Sequence, residues 1–174
     1  MADAADSKSA GVYTPCGFKS HLRQIFLEGS AVPKPLPDYL PGEIREEITL
    51  LGYSGILDYT EKKLGLKRTR LVSVFSGKHT RLRQYKALAD FLGLSLDALA
   101  LLEAGGTLPK VVLKKCQALQ IPLVAAERAT GCSWLTHKVS GQYSGSGLKT
   151  YTEVAAALGW SLEKLAKVCL TKDS

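Results

Sequence analysis

Apolar residues recur at three- and four-residue spacing through most of this chain, a period that predicts helices. Phe18, Leu22, Ile25 and Phe26 share one face of a short amphipathic segment from Phe18 to Glu28 that Gly29 ends. Pro33, Pro35, Pro37 and Pro41 follow, too dense for helix or central strand, and predict an extended linker or a strap lying on the next domain. From Glu43 onward everything reads as helix. Ile44, Ile48 and Leu51 fit one stripe, and Ile56 to Leu64, Arg70 to Phe75, Tyr85 to Leu92 and Leu96 to Leu102 give four further segments, punctuated by Gly65, Gly77 and Gly93. After Gly105 and Gly106 a second set follows: Val111 to Leu119, Leu123 to Ala129, Ser133 to Val139, Tyr151 to Leu158 and Leu162 to Leu170.

The two sets can be laid over one another. Ser76-Gly77 and Ser140-Gly141 lie 64 residues apart, whereas Leu92-Gly93 with Ser95-Leu96 and Leu158-Gly159 with Ser161-Leu162 lie 66 apart. A two-residue insertion in the loop after the third helix reconciles the registers. The matched ends share a Gly C-cap, a Ser N-cap and an acid in the first turn. This pattern reads as two copies of one five-helix unit.

Composition narrows the class. With 174 residues, 45% hydrophobic and 22% charged, the chain has the make-up of a soluble globular protein, and no apolar run approaches the length of a bilayer span. Met1 to Gly11 lacks the basic flank and apolar stretch of a signal peptide, so the expected location is the cytoplasm. Cys16, Cys116, Cys132 and Cys169 show neither a C-x-x-C pair nor a His at metal-ligand spacing; they read as reduced, packed thiols, with no metal and no cofactor expected. His21, His79 and His137 have no neighbouring nucleophile or carboxylate in a recognisable catalytic arrangement, and there is no phosphate-binding glycine loop, so an enzyme is not expected.

The net charge of +7 is compatible with a polyanionic partner, but its distribution says more. From Lys62 to Lys86 stand nine basic residues (Lys62, Lys63, Lys67, Arg68, Arg70, Lys78, Arg81, Arg83, Lys86) and no acid. Within that stretch, Gly65 ends one helix and a second begins after a three-residue turn. If Leu66, Leu71 and Val74 point inward, Arg68, Thr69, Arg70 and Ser73 point outward, which is the layout of a recognition helix in the major groove. Arg68 and Arg70 suit bidentate bonds to guanine, and Thr69 suits a base or a thymine methyl group. Lys67, Lys78, Arg81 and Arg83, with His79, fall on the turn and following loop, where phosphates run. The competing reading is a solvated basic face.

Leu64-Gly65 to Gly77, followed by Leu88-Ala-Asp-Phe-Leu-Gly-Leu-Ser-Leu-Asp-Ala-Leu99, resembles the Cro and phage-repressor class of helix-turn-helix domains, including its twelve-residue interval between turn glycine and closing glycine. Thr60-Glu61 departs from the family pattern, where a Leu-Ala pair is common. The resemblance implies an all-α fold of two tandem five-helix, lambda-repressor-like helix-turn-helix units with an N-terminal arm. The chain then divides into 1–42 (tail, amphipathic helix and strap), 43–106 (repeat 1, reading DNA) and 107–174 (repeat 2, divergent).

Repeat 2 lacks the reading arginines. Matching Gly77 to Gly141 puts Cys132, Ser133, Trp134 and His137 opposite Arg68, Thr69, Arg70 and Ser73, and sets Thr130 and Lys138 where the family has apolar packing. Ser133, Trp134, His137, Lys138, Gln142 and Tyr143 form a candidate second contact surface. Trp134 and Tyr143 fit stacking on a base or deoxyribose and fit equally the cover of a protein partner, while Trp134 also fits a core position. The expected function is a prokaryotic or phage-type transcriptional regulator that binds duplex DNA, as a homodimer or as a pseudo-dimer within one chain, and is nucleoid-associated when bound. The rival is a DNA-binding adaptor in which repeat 2 and the N-terminal arm contact a protein. RNA is the less favoured partner, because signatures of the common RNA modules are lacking.

Overall fold

Because capping residues and glycines punctuate the chain so often, its helices are short. A computed structural model describes residues 35–143, 145 and 147–171, and among these the chain forms ten α-helices and no strand. In order they are α1 (Gly42–Leu50), α2 (Ile56–Asp58, continued by a π-helical turn, Tyr59–Lys63), α3 (Arg68–Ser76), α4 (Thr80–Leu92), α5 (Leu96–Ala104), α6 (Leu108–Ala118), α7 (Leu123–Thr130), α8 (Leu135–Val139), α9 (Lys149–Ala157) and α10 (Leu162–Thr171). The amphipathic segment Phe18 to Glu28 lies outside the described residues, as does Cys16.

The expected helices are present, with local differences that have physical causes. Leu51 does not continue the α1 stripe: Ile44 and Ile48 are buried, but the third buried position is Leu40, just ahead of the helix, and Leu51 is half exposed beyond its end. The end of the proline-rich stretch is a packed strap in which Leu36 and Tyr39 lie on the core and Leu40 and Pro41 are buried. α6 begins at Leu108, earlier than its apolar period predicts, because Pro109 is well suited to a first helical turn. Thr60, which breaks the family pattern, is accommodated by bonding its hydroxyl to the carbonyls of Ile56 (2.8 Å) and Leu57 (2.9 Å). Thr130 does the same with Ala126 at 2.8 Å. A buried hydroxyl satisfied by its own helix costs little.

Packing does not follow chain order across Gly105 and Gly106. The described residues from Pro35 onward form one compact unit, and helices from its two halves interleave. α3 packs on α9, α4 on α7, and α10 on both α4 and α5. Lys164 on α10 reaches Glu43 at the start of α1 (2.8 Å), and the Cys169 thiol lies against the Val74 carbonyl of α3 (3.5 Å). The helices α1 to α3 therefore complete their core with α9 and α10, and α10 also packs on α4 and α5, which join α6 to α8. The shared core runs through Leu71, Val74, Leu82, Tyr85, Leu88, Leu99, Leu135, Val154 and Leu165, all essentially without solvent contact. Burying each such leucine contributes roughly 2 kcal/mol.

The halves also cap one another. Ser95 accepts from the Ala98 amide and Ser161 from the Lys164 amide, both at 3.1 Å, as their N-cap positions require. The Leu96 amide donates to Glu163 Oε1 and the Leu162 amide to Asp97 Oδ1, both at 2.9 Å. Each helix thus supplies a carboxylate to the free N–H groups and positive dipole end of the other. Asp97→Ala should cost about 1 kcal/mol, in the range of a lost helix cap, and Glu163→Ala should do the same. Urea denaturation should show this as a lower midpoint at unchanged m value.

Candidate nucleic-acid interface

The chain leaves α2 through Gly65, whose φ of +60° lies in the left-handed region that a side chain disfavours. The Leu66 amide then donates back to the Thr60 carbonyl at 2.8 Å, and Lys67 is extended at the N-cap of α3. Leu71, Val74 and Phe75 face the core, so the opposite face of α3 presents Arg68, Thr69 and Ser73 to solvent. Leu66 is half-buried, on the inner side of the turn.

Arg70 differs from its three expected companions. Its guanidinium is ion-paired to Glu153 of α9, on a carboxylate oxygen closed off from solvent, although the arginine side chain remains 42% exposed. The sequence around Arg70 carries no sign of this contact, because the acid stands 83 positions away.

The basic run sorts into neutralised and uncommitted charges. Lys62 pairs with Asp58 (3.6 Å), Lys63 with Glu47 (3.9 Å), and Lys86 with Asp90 (2.8 Å) and Glu163 (3.6 Å). Lys67, Arg68, Lys78 and Arg81 have no acidic partner among the described residues. These four stand at the N-terminal turn of α3 and along the connection into α4, where Arg83 is also exposed. Arg81 donates to the Tyr143 hydroxyl at 2.6 Å with its guanidinium 5.4 Å from the ring centre, so a loop of the second half of the chain orients a cation of the first. His79 is not at the surface. It is 3% exposed at the N-cap of α4, with Nδ1 3.5 Å from the Tyr151 hydroxyl, and it does not stand with the exposed cations.

The second half of the chain has a shorter turn of similar start. Gly131 has φ +68°, like Gly65, but only three residues separate it from buried Leu135, against five between Gly65 and buried Leu71. α8 is accordingly five residues long against nine for α3. Cys132 and Trp134 are buried. The Trp134 indole N–H donates to the Gln84 side chain (2.9 Å) and its ring stacks on Tyr85, centres 4.7 Å apart. Of the readings open to Trp134, the core position is the one the structure takes. Lys138 also turns inward. Its ammonium meets Glu103, bonds the Gly145 carbonyl (3.0 Å) and lies 5.6 and 5.4 Å from the ring centres of Trp134 and Tyr143. Neither residue forms part of an exposed contact surface. Ser133, His137 and Gln142 are exposed, the last two bonded to each other at 2.8 Å, and Tyr143 is half-buried beneath Arg81.

Glu103 organises this region. It accepts from the Tyr85 hydroxyl, from Lys138 and from the Leu148 amide (3.4 Å), and the Gly147 amide donates to the same Tyr85 oxygen (3.3 Å). Burial, with Glu103 beside it, pushes the Tyr85 phenol far above its ordinary range, so it remains a proton donor. A Cβ on residue 147 would lie 2.6 Å from the Tyr85 ring, so the loop requires glycine there. Burial also raises the Cys132 thiol, and Cys116, Cys132 and Cys169 are free and buried. No cluster of three or more metal-ligating side chains occurs among the described residues.

No family model, curated protein or solved structure matches the chain. No helix among the described residues is long and apolar enough to cross a membrane.

Removing one member of the Glu103 and Lys138 pair strands the other in the interior. Lys138→Ala should destabilise the protein by about 3 kcal/mol or more. Combining Lys138→Met with Glu103→Gln should recover part of that loss in the same thermal or chemical melts.

Proposed function

We propose that this protein binds duplex DNA as a transcriptional regulator, with α2, the Gly65 turn and α3 serving as a helix-turn-helix of the Cro and phage-repressor kind. The observation that carries this reading is the segregation of charge. The basic residues at the edges of the run, Lys62, Lys63 and Lys86, are paired with acids, whereas Lys67, Arg68, Lys78 and Arg81 have no acidic partner among the described residues and stand exposed at the start of α3 and on the way into α4. Arg68, Thr69 and Ser73 are the base readers in this assignment, and Lys67, Lys78, Arg81 and Arg83 hold phosphates. Arg70 joins the readers only when Glu153 releases it.

The two halves are taken as copies of one five-helix unit. Support comes from the reciprocal caps of α5 and α10 and from matched left-handed glycines, Gly65 with Gly131 and Gly93 with Gly159. On this reading the chain is an internal pseudo-dimer with one reading head. The second copy has lost the first turn of its recognition helix and turned its one α8 lysine inward.

An adaptor role is the second reading, favoured by the apolar side chains that the second copy exposes, Leu113, Leu119 and Val124. They offer a protein partner a surface that DNA does not use.

Gel-shift and fluorescence titrations on a site selected from random duplexes test the assignment. Arg68→Ala should weaken binding by about 1–3 kcal/mol and relax preference at one position, while Lys78→Ala should weaken all sequences alike and lower the salt slope by about 1. Equal affinity and unchanged preference for Arg68→Ala would overturn the recognition-helix assignment.

A further inference from the structure

One concave apolar surface belongs to neither the reading face nor the shared core. It is a groove of about 540 Å³ between α5 and α9, floored by Ala100, Leu101, Ala104, Leu148 and Leu162. Leu101 is 75% exposed there. Groove volumes of this order suit small organic ligands, and a large exposed leucine in a concavity is a departure from ordinary surface composition. Its polar rim consists of Asp97, Glu153, Thr152 and Lys149. Asp97 already caps α10, which leaves Glu153 as the carboxylate held only by Arg70.

The corresponding place in the other half shows what is unusual about this groove. Advancing or receding by 66 residues, Ala100 becomes Ala166, Leu101 becomes Lys167, and Thr152 becomes Lys86. That second concavity is lined by Lys86, Lys164 and Lys167, and Lys86 bridges Asp90 and Glu163 across it. One concavity carries three lysines, whereas the other has a single lysine, Lys149, on its rim and the exposed Leu101 where the first has Lys167.

We infer that the groove between α5 and α9 is a binding site for an amphipathic organic cation, an alkyl or aryl ammonium, whose apolar body covers Leu101 and whose nitrogen pairs with Glu153. The choice of a cation follows from charge complementarity: the groove bottom is apolar, two of its three charged rim residues are acids, and the ligand nitrogen takes the place that Arg70 now holds on Glu153. The consequence lies at α3, because Glu153 is also the partner of Arg70. A cation seated on Glu153 takes over that carboxylate, and the Arg70 guanidinium becomes available to a base. The ligand therefore favours the state with Arg70 free, and by linkage DNA that engages Arg70 tightens the ligand by the same factor. This coupling rests on the DNA-reading assignment above; the site itself does not.

Calorimetry on the full chain tests the site without DNA, using decylamine below its micelle-forming concentration against decanol and decanoate. Decylamine should bind about fivefold or more tightly than either analogue, Glu153→Gln should abolish that preference, and the uncharged Leu101→Ser, at a solvent-facing position, should weaken all three ligands. Equal binding of the three ligands, or unaltered binding to Leu101→Ser, overturns the proposal. In a DNA titration decylamine should raise affinity about fivefold in the wild type and leave Arg70→Ala unchanged. Absence of any duplex binding would defeat the DNA assignment while the calorimetry still judged the groove. Calorimetric binding with no change in wild-type DNA affinity would overturn the coupling.

Discussion

A buried carboxylate holds the two halves of this chain in one arrangement. Glu103 ends α5, and its oxygens gather a tyrosine of α4, the lysine of α8 and the backbone entering α9. Isolated, such a charge would be costly in an apolar interior; with three donors around it, the same low polarity strengthens every contact. Lys138 is drawn inward by it, and with Lys138 come Trp134, stacked on Tyr85, and Tyr143, which orients Arg81. One electrostatic constraint thus decides that α8 cannot present a positive face and that a cation beside α3 is aimed by a loop some sixty residues downstream.

Interleaving gives α3 a second dependence on distant sequence. α3 rests on α9, so the helix carrying Arg68 and Thr69 is braced by the last third of the chain, and α9 contributes the acid that holds Arg70. The proposed reading face is therefore partly occupied, with Arg68 exposed and Arg70 engaged. Exchange of helices between halves also means that no cut near Gly105 separates two self-contained cores.

Much of the local structure was legible from spacing. Left-handed glycines at helix ends, serine caps and the inward stripe of Leu71 and Val74 are local requirements, imposed by backbone geometry and by a 3.6-residue period. The placements that spacing misassigned involve partners remote in sequence. His79 and Trp134 are amphipathic rings equally suited to surface and core, and side chains on other helices, Tyr151 beside His79 and Tyr85 with Gln84 beside Trp134, accompany them in the interior. Lys138 stands at a buried position of α8, and the partner that makes it interior is Glu103, 35 positions earlier. The shortened turn at Gly131 left a fainter trace, a 66-residue spacing to Gly65 set against 64 for the helix that follows.

Sequence by itself determined the all-helical class of the described residues, the order and approximate place of their helices, and the concentration of positive charge from Lys62 to Lys86, because each depends on residues within a turn or two of one another. Tertiary structure alone decided which of those charges remain available, which half supplies each helix with its neighbours, and that Arg70 is restrained. Those outcomes depend on contacts between residues tens of positions apart, for which neither period nor composition carries a signal.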